Sequence, residues 1–251
     1  MLRIEHLAVS YGTEDVLRDV SFELEPGKFT AVIGQNGCGE STLAACINQQ
    51  LAYRGEIYFE GENLKEMPPR RRARKISMLP QMLVSPHITV EELVALGRSP
   101  YLGLLGRMSG SDREAVESAM ESAGISGLRG KFTDELSGGE RQKAYLAMIL
   151  AQDCGLMVLD EPTTYMDITY EGWFLEKLDE LRRKQGKTLL VIMHNLSQAV
   201  RFAENIVVLK GGKVFFSGDV ESCLERGVIE DVFSVKKHVF NEEGERFVFF
   251  S

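Results

Sequence analysis

The chain has 251 residues, 29 Lys and Arg against 37 Asp and Glu, and a formal net charge of -8, with 44% hydrophobic and 26% charged residues. That makeup fits a globular fold with a sizeable core, and the acidic balance argues against general nucleic-acid binding, which favours a basic surface. No stretch approaches the ~18–20 apolar residues of a membrane span, the opening MLRIEHLAVS is not a signal peptide, and the dispersed Cys38, Cys46, Cys154 and Cys223 form no CxxC pair, against a zinc cluster or disulfide framework.

The first predicted elements are strands. Residues 2–6 and 21–24 alternate in polarity, as antiparallel strands do. Residues 30–33 (Thr-Ala-Val-Ile) instead form a short continuous run that ends at Gly34, and residues 56–60 alternate again between Gly55 and Gly61. The basic run at 68–75 reads as a solvated helix face, with contact to nucleic acid or to lipid head groups as the alternative. Helix formers dominate from about 89 to 152. There Ser111-Asp112-Arg113-Glu114 opens a helix carrying Ala115, Val116, Ala119, Met120 and Ala123 at helical spacing, and Gly124 stops it.

Two more apolar runs follow: residues 156–159 end at Asp160, and residues 189–193 end at His194. Trp173 and Phe174, in a helical segment between them, read as core. Residues 206–209 and 214–216 flank Gly211-Gly212 as a hairpin, and residues 239–250 read as a terminal hairpin around Asn241-Glu242-Glu243-Gly244. Continuous apolar runs suit strands buried on both faces of a parallel sheet under helices, so the class is α/β. Ligands gather at the carboxyl ends of such strands. Gly34, Asp160 and His194 therefore point to one site.

Gly34-Gln35-Asn36-Gly37-Cys38-Gly39-Glu40-Ser41-Thr42 lies between a strand and a helical run and matches the phosphate-loop frame GxxxxGK[ST] at every position but one. Its glycines let successive backbone N–H groups turn inward as an anion nest, and the helix start adds its dipole. Ser41 is placed to ligate Mg²⁺. Position 40 should be the Lys that reaches the β and γ phosphates, and it is Glu. One unit-charge pair at ~4 Å and an effective dielectric of ~20 is worth roughly 4 kcal/mol. Exchanging attraction for repulsion therefore approaches the roughly 8 kcal/mol of micromolar binding, unless the Glu40 side chain swings away.

Asp160-Glu161-Pro162 offers an Mg²⁺-holding carboxylate and a general base for water, although an acidic pair after a strand is also a common surface feature. Leu136-Ser137-Gly138-Gly139-Glu140-Arg141-Gln142 is a second anion-binding helix start. Two such nests imply a second ligand or one nucleotide shared across a two-fold dimer.

With LSGGERQ spelled in full, almost the whole chain resembles the nucleotide-binding subunit of an ATP-binding-cassette (ABC) transporter. That resemblance implies a P-loop NTPase (RecA-like) core with an antiparallel β subdomain, over about 1–88 and 153–235, a helical subdomain over about 89–152, and a C-terminal hairpin over about 236–251. It matches Tyr11 to the aromatic that stacks on adenine and Gln81 to the catalytic, metal-contacting glutamine of the Q-loop. Residues 34–42 and Ser137, Gly138, Gly139 and Glu140 match the nucleotide-binding segments, Asp160 and Glu161 the Walker B pair, Asp167 the D-loop aspartate, and His194 the switch histidine.

The segments 96–101 (LGRSPY) and 162–167 (PTTYMD) look like those of importers of ferric siderophores, haem or cobalamin. The resemblance implies ATP and Mg²⁺ as ligands, a homodimer sandwiching ATP, and permease subunits at the cytoplasmic face of the membrane. An extracytoplasmic binding protein would take part indirectly, and nucleic acid not at all. Glu40 departs from the pattern and predicts impaired hydrolysis. A catalytically inactive, nucleotide-responsive adaptor is the competing reading.

Overall fold

The computed structural model describes residues 1–103, 106–164, 166, 168–242 and 245–251. In chain order it forms β1 (Leu2–Tyr11), β2 (Glu14–Leu24), β3 (Phe29–Gly34), α1 (Glu40–Ile47), β4 (Arg54–Phe59), β5 (Glu62–Asn63), α2 (Pro69–Arg72), β6 (Ile76–Leu79), α3 (Val90–Leu96), α4 (Gly110–Ser122) and α5 (Gly138–Ala151). There follow β7 (Leu156–Asp160), α6 (Ile168–Gln185), β8 (Thr188–Ile192), α7 (Leu196–Phe202), β9 (Asn205–Lys210), β10 (Lys213–Asp219), α8 (Val220–Glu225), α9 (Val228–Phe233), β11 (Lys237–Glu242) and β12 (Glu245–Phe250). Two compact units share these elements. The first holds Met1–Met67, Leu159–Glu161 and Leu175–Ser251, and the second Pro68–Val158 and Pro162–Phe174.

In the first unit, β2, β1, β4 and β5 form an antiparallel sheet in that order. The alternation read at the start of β1 is real: Leu2 and Ile4 are buried between exposed neighbours. A second sheet runs β10-β9-β3-β8, with β3 parallel to both β8 and β9. All six residues of β3 are buried, as its unbroken apolar pattern requires. Antiparallel β10 joins β9 through Gly211 and Gly212, both at positive φ (57° and 76°), which a two-residue turn matching the strand twist demands. The terminal hairpin forms as β11 paired with β12; its tip, Glu243 and Gly244, lies outside the described residues.

In the second unit, α3 and α4 both pack on α5. The helix expected from Ser111 starts slightly earlier. Ser109 is the N-cap of α4 and exchanges hydrogen bonds with Asp112 in a capping box. Phe174 is fully buried as expected, whereas Trp173 is half-buried under the Lys143 ammonium. The basic run is more than a wet face: Arg70 donates to Leu102 C=O, and Arg74 donates to Pro100 C=O and lies over the Tyr101 ring.

Those contacts belong to a knot around 98–101. The Arg98 guanidinium, mostly buried, donates to Asp112 Oδ1 at 3.0 Å and to Ala151 C=O at 2.8 Å, and lies 3.8 Å over the Tyr101 ring. The Tyr101 hydroxyl donates to Gln152 C=O at 2.9 Å. Two residues of the LGRSPY segment thus satisfy the last carbonyls of α5, where a cation also meets the helix's negative pole.

Replacing Arg98 by Ala strands a buried carboxylate, so a loss of about 3–5 kcal/mol is expected. Calorimetric melting should register it as a Tm lower by roughly 6–20 °C. Hydrogen bonds from Ser109, then Arg98, hold the Asp112 carboxyl down at about 2 against a usual 3.8. Its contribution is therefore complete above pH ~3.8 and lost as pH falls through about 2. An Asp112→Asn variant should show a flatter stability profile over that window.

Candidate functional site

The site begins where β3 stops. At Gly34 a Cβ would lie 2.1 Å from Cys38 Sγ and 3.2 Å from Glu40 Oε1, so the loop folds back onto bare backbone. Cys38 N–H donates to Gln35 C=O at 3.0 Å. Gly39 then takes φ 103° as N-cap of α1, where a Cβ would press into Leu17 Cδ2 at 2.5 Å. No side chain caps α1, whereas α3, α4 and α5 each begin with a reciprocal capping box. The positive end of α1 is thereby left open toward the loop, the arrangement that suits an anion.

The polar side chains come from the ends of neighbouring strands. Ser41 Oγ donates to Asp160 Oδ1 at 3.1 Å across to the end of β7. Glu161, the next residue, sits at φ 46°, a left-handed conformation that non-glycine residues rarely hold outside functional turns. Its Oε1 is 2.6 Å from His194 Nε2, just beyond β8. Tyr11, Val16, Asn36, Gly37, Gly39, Glu40, Ser41, Thr42, Glu161 and His194 line a cleft of about 450 Å³ within the first unit. Tyr11 is 53% exposed there, its ring available for stacking.

Glu40 does not swing away. It is 6% exposed, and its Oε1 is buried without a hydrogen-bond partner. The first turn of α1 carries the side chain inward over Gly34, as it would carry a lysine. Burial pushes the Glu40 carboxyl above its usual range; His194 and a hydrogen bond with Cys38 oppose that, while Glu161 and Asp160 add to it. Burial raises Asp160 too, against the stabilising hydrogen bond from Ser41. The Cys38 thiol is pushed up to about 12, chiefly by burial and then by the Glu40 charge, and so stays protonated.

The other expected site residues divide cleanly. Gln35 turns its amide to Val232 C=O at 2.7 Å and anchors the loop on α9, and it is not part of the cleft lining. Gly34 and Cys38 lie beneath the loop. Gln81 belongs to the second unit, where it lines a groove with Met82, Leu83, Gly138, Arg141, Gln142, Thr164 and Met166.

In that unit Ser137 N-caps α5. Its amide and hydroxyl donate to Glu140 Oε2 at 2.9 and 2.8 Å, bonds that hold the Glu140 carboxyl below its usual range. Tyr170 covers Gly139, its ring carbons 3.6 Å from where a Cβ would be. Asp167 lies outside the described residues. One lining residue had no distinct signal in the sequence, Val16, apolar in an alternating strand; Gln142, which closes the LSGGERQ segment, turns its buried amide to donate to Pro162 C=O and ties α5 to the segment after Glu161.

An uncapped helix behind a glycine loop, facing a Ser–Asp pair and a Glu–His pair at the ends of parallel strands, defines a P-loop nucleotide-binding domain. A capped LSGGERQ helix in the same chain narrows that class to the ATP-binding cassettes. Residues 17–164 match the ABC transporter family, and the chain belongs to it.

It is 39% identical over 243 residues to the ferric enterobactin transport ATP-binding protein FepC of Escherichia coli, covering 96% of this chain and 90% of that protein. The iron(3+)-hydroxamate import ATP-binding protein FhuC of Bacillus subtilis is 33% identical over the same shares. Among solved structures, the dimeric cassette MJ0796 of a bacterial ABC transporter superposes with a TM-score of 0.79 at 26% identity, over 88% of this chain and 99% of that one.

A buried carboxyl oxygen without a donor is destabilising, so Glu40→Met should raise the Tm of the nucleotide-free protein. The expected gain is about 1–3 kcal/mol, read as several degrees in a thermal melt at pH 7.5. An unchanged or lower Tm would show that the carboxyl is satisfied in solution.

Proposed function

We propose that this chain is the ATP-binding subunit of an importer for a ferric siderophore or a related iron chelate, with haem and cobalamin types as the neighbouring alternatives. The observation that carries the reading is a single cleft holding the open loop, the Ser41–Asp160 pair and the Glu161–His194 pair. The names of the iron-import relatives that match along nearly the whole chain point to the substrate class.

In this reading the amides around Gly37 and Gly39 receive phosphate oxygens and Tyr11 stacks on the base. Ser41 and Asp160 are hard oxygen donors already within hydrogen-bond distance, a set that fits Mg²⁺. The ion, when bound, neutralises charge on the phosphates. Glu161 accepts a proton from the attacking water, and its present bond to His194 holds the carboxylate in place until water takes the position.

A second copy supplies Ser137, Gly138 and Gly139. Nucleotide then joins two subunits, and its loss separates them. No helix among the described residues is long and apolar enough to cross a membrane. Transport therefore needs permease subunits, and Gln81 with the groove around it is the surface offered to them, at the cytoplasmic face. A substrate-binding protein engages those permeases from the other side.

Glu40 sets the catalytic level. A carboxylate where the β and γ phosphates need a cation leaves binding through the nest but weakens activation of the terminal phosphate. Glu40→Lys should raise ATP turnover by about 10²-fold or more in the assembled transporter, a gain of roughly 3 kcal/mol in barrier. Adding Glu161→Gln to that variant should remove the gain by about 10²–10⁴-fold. If Glu40→Lys leaves phosphate release flat, the substitution does not limit turnover and the transport-ATPase reading loses its main support.

A further inference from the structure

The lining of the cleft is unusual in charge. Among the described residues it contains no lysine and no arginine: the ionisable side chains there are Tyr11, Glu40, Glu161 and His194. The one potential cation, His194, is already bonded to Glu161 at 2.6 Å. Asp160 adds a third carboxyl behind Ser41. Glu40 is folded inward, 94% buried, with an unpartnered oxygen against the start of the loop.

The two halves of a polyphosphate therefore meet different surroundings. Backbone amides of such a loop cradle the inner phosphates, and the residue at position 40 faces the outer ones. The amide nest is intact here, with Gly37 and Gly39 in the conformations it needs and no side chain capping α1. The countercharge for the outer phosphates is replaced by carboxyl groups. Each added phosphate brings further negative charge into that part of the cleft, where low dielectric magnifies repulsion.

We infer that Glu40 is a specificity-determining residue that makes this cleft hold nucleoside diphosphates more tightly than nucleoside triphosphates. The inference rests on the nucleotide-site reading above and deepens it. In operation the subunit would rest in a product-like state, and the triphosphate would compete poorly for it.

Titrating the purified full-length chain with Mg·ADP and with a non-hydrolysable Mg·ATP analogue tests this, by calorimetry or by displacement of a fluorescent nucleotide. The parent protein should bind ADP at least tenfold tighter, about 1.4 kcal/mol. Glu40→Gln, neutral and nearly isosteric, should bring the two affinities within about threefold, and Glu40→Lys should reverse the order. Equal or tighter triphosphate binding by the parent protein would overturn the inference, as would a ratio unchanged in Glu40→Gln or a parent protein that binds neither nucleotide. A folded Glu40→Lys protein that binds neither nucleotide would instead remove the nucleotide-site reading itself. Should that variant fail to fold, the comparison of parent with Glu40→Gln decides alone.

Discussion

The site depends on the parallel pairing of β3 with β8 and β9. Because every residue of β3 is buried between those neighbours, the strand has no freedom to slide. Its last residue is therefore delivered to one place, with the start of α1 just beyond. The end of β7 and the segment just beyond β8 arrive at the same edge, which brings Asp160 to Ser41 and Glu161 to His194. A handful of short apolar strands fixes the backbone to which all the chemistry is attached.

That rigidity explains how the fold carries a reversed charge at position 40. The loop's conformation is set by Gly39 at φ 103° against Leu17 and by the Gln35 anchor on α9, neither of which involves the side chain of residue 40, while Gly34 leaves the room into which that side chain folds. The carboxyl is consequently held inward, where burial and two other carboxyls act against its charge. A more pliable loop would have released it to solvent. The loop's architecture and the charge it carries are thus separable here: an inward carboxyl at position 40 leaves the donor set around Ser41 and Asp160 assembled.

Much of the scaffold was legible because it follows periodicity. The unbroken runs leading to Gly34, Asp160 and His194 became buried strands, and the glycine pair at 211–212 became the turn it resembled. Side-chain destinations were less legible. Ser111-Asp112-Arg113-Glu114 looked like a helix start, but the reciprocal cap that forms is Ser109 with Asp112, and Asp112 is shared with an Arg98 fourteen residues earlier. Periodicity does not report such pairings. Nor does it distinguish an acidic residue that faces water from one that the first turn of a helix folds under its own loop, so the burial of Glu40 had to come from the structure.

The two nests of the chain are in different states of readiness, and the difference bears on assembly. At α1 no side chain occupies the helix start, whereas at α5 the Ser137 hydroxyl and amide are both engaged by Glu140, which Lys131 in turn contacts. A phosphate arriving from a second subunit would have to compete with a carboxylate already favoured by the helix dipole, while a phosphate entering the chain's own cleft meets an open helix start. An anion at the start of α5 is the costlier of the two, because it exchanges one satisfied anion for another.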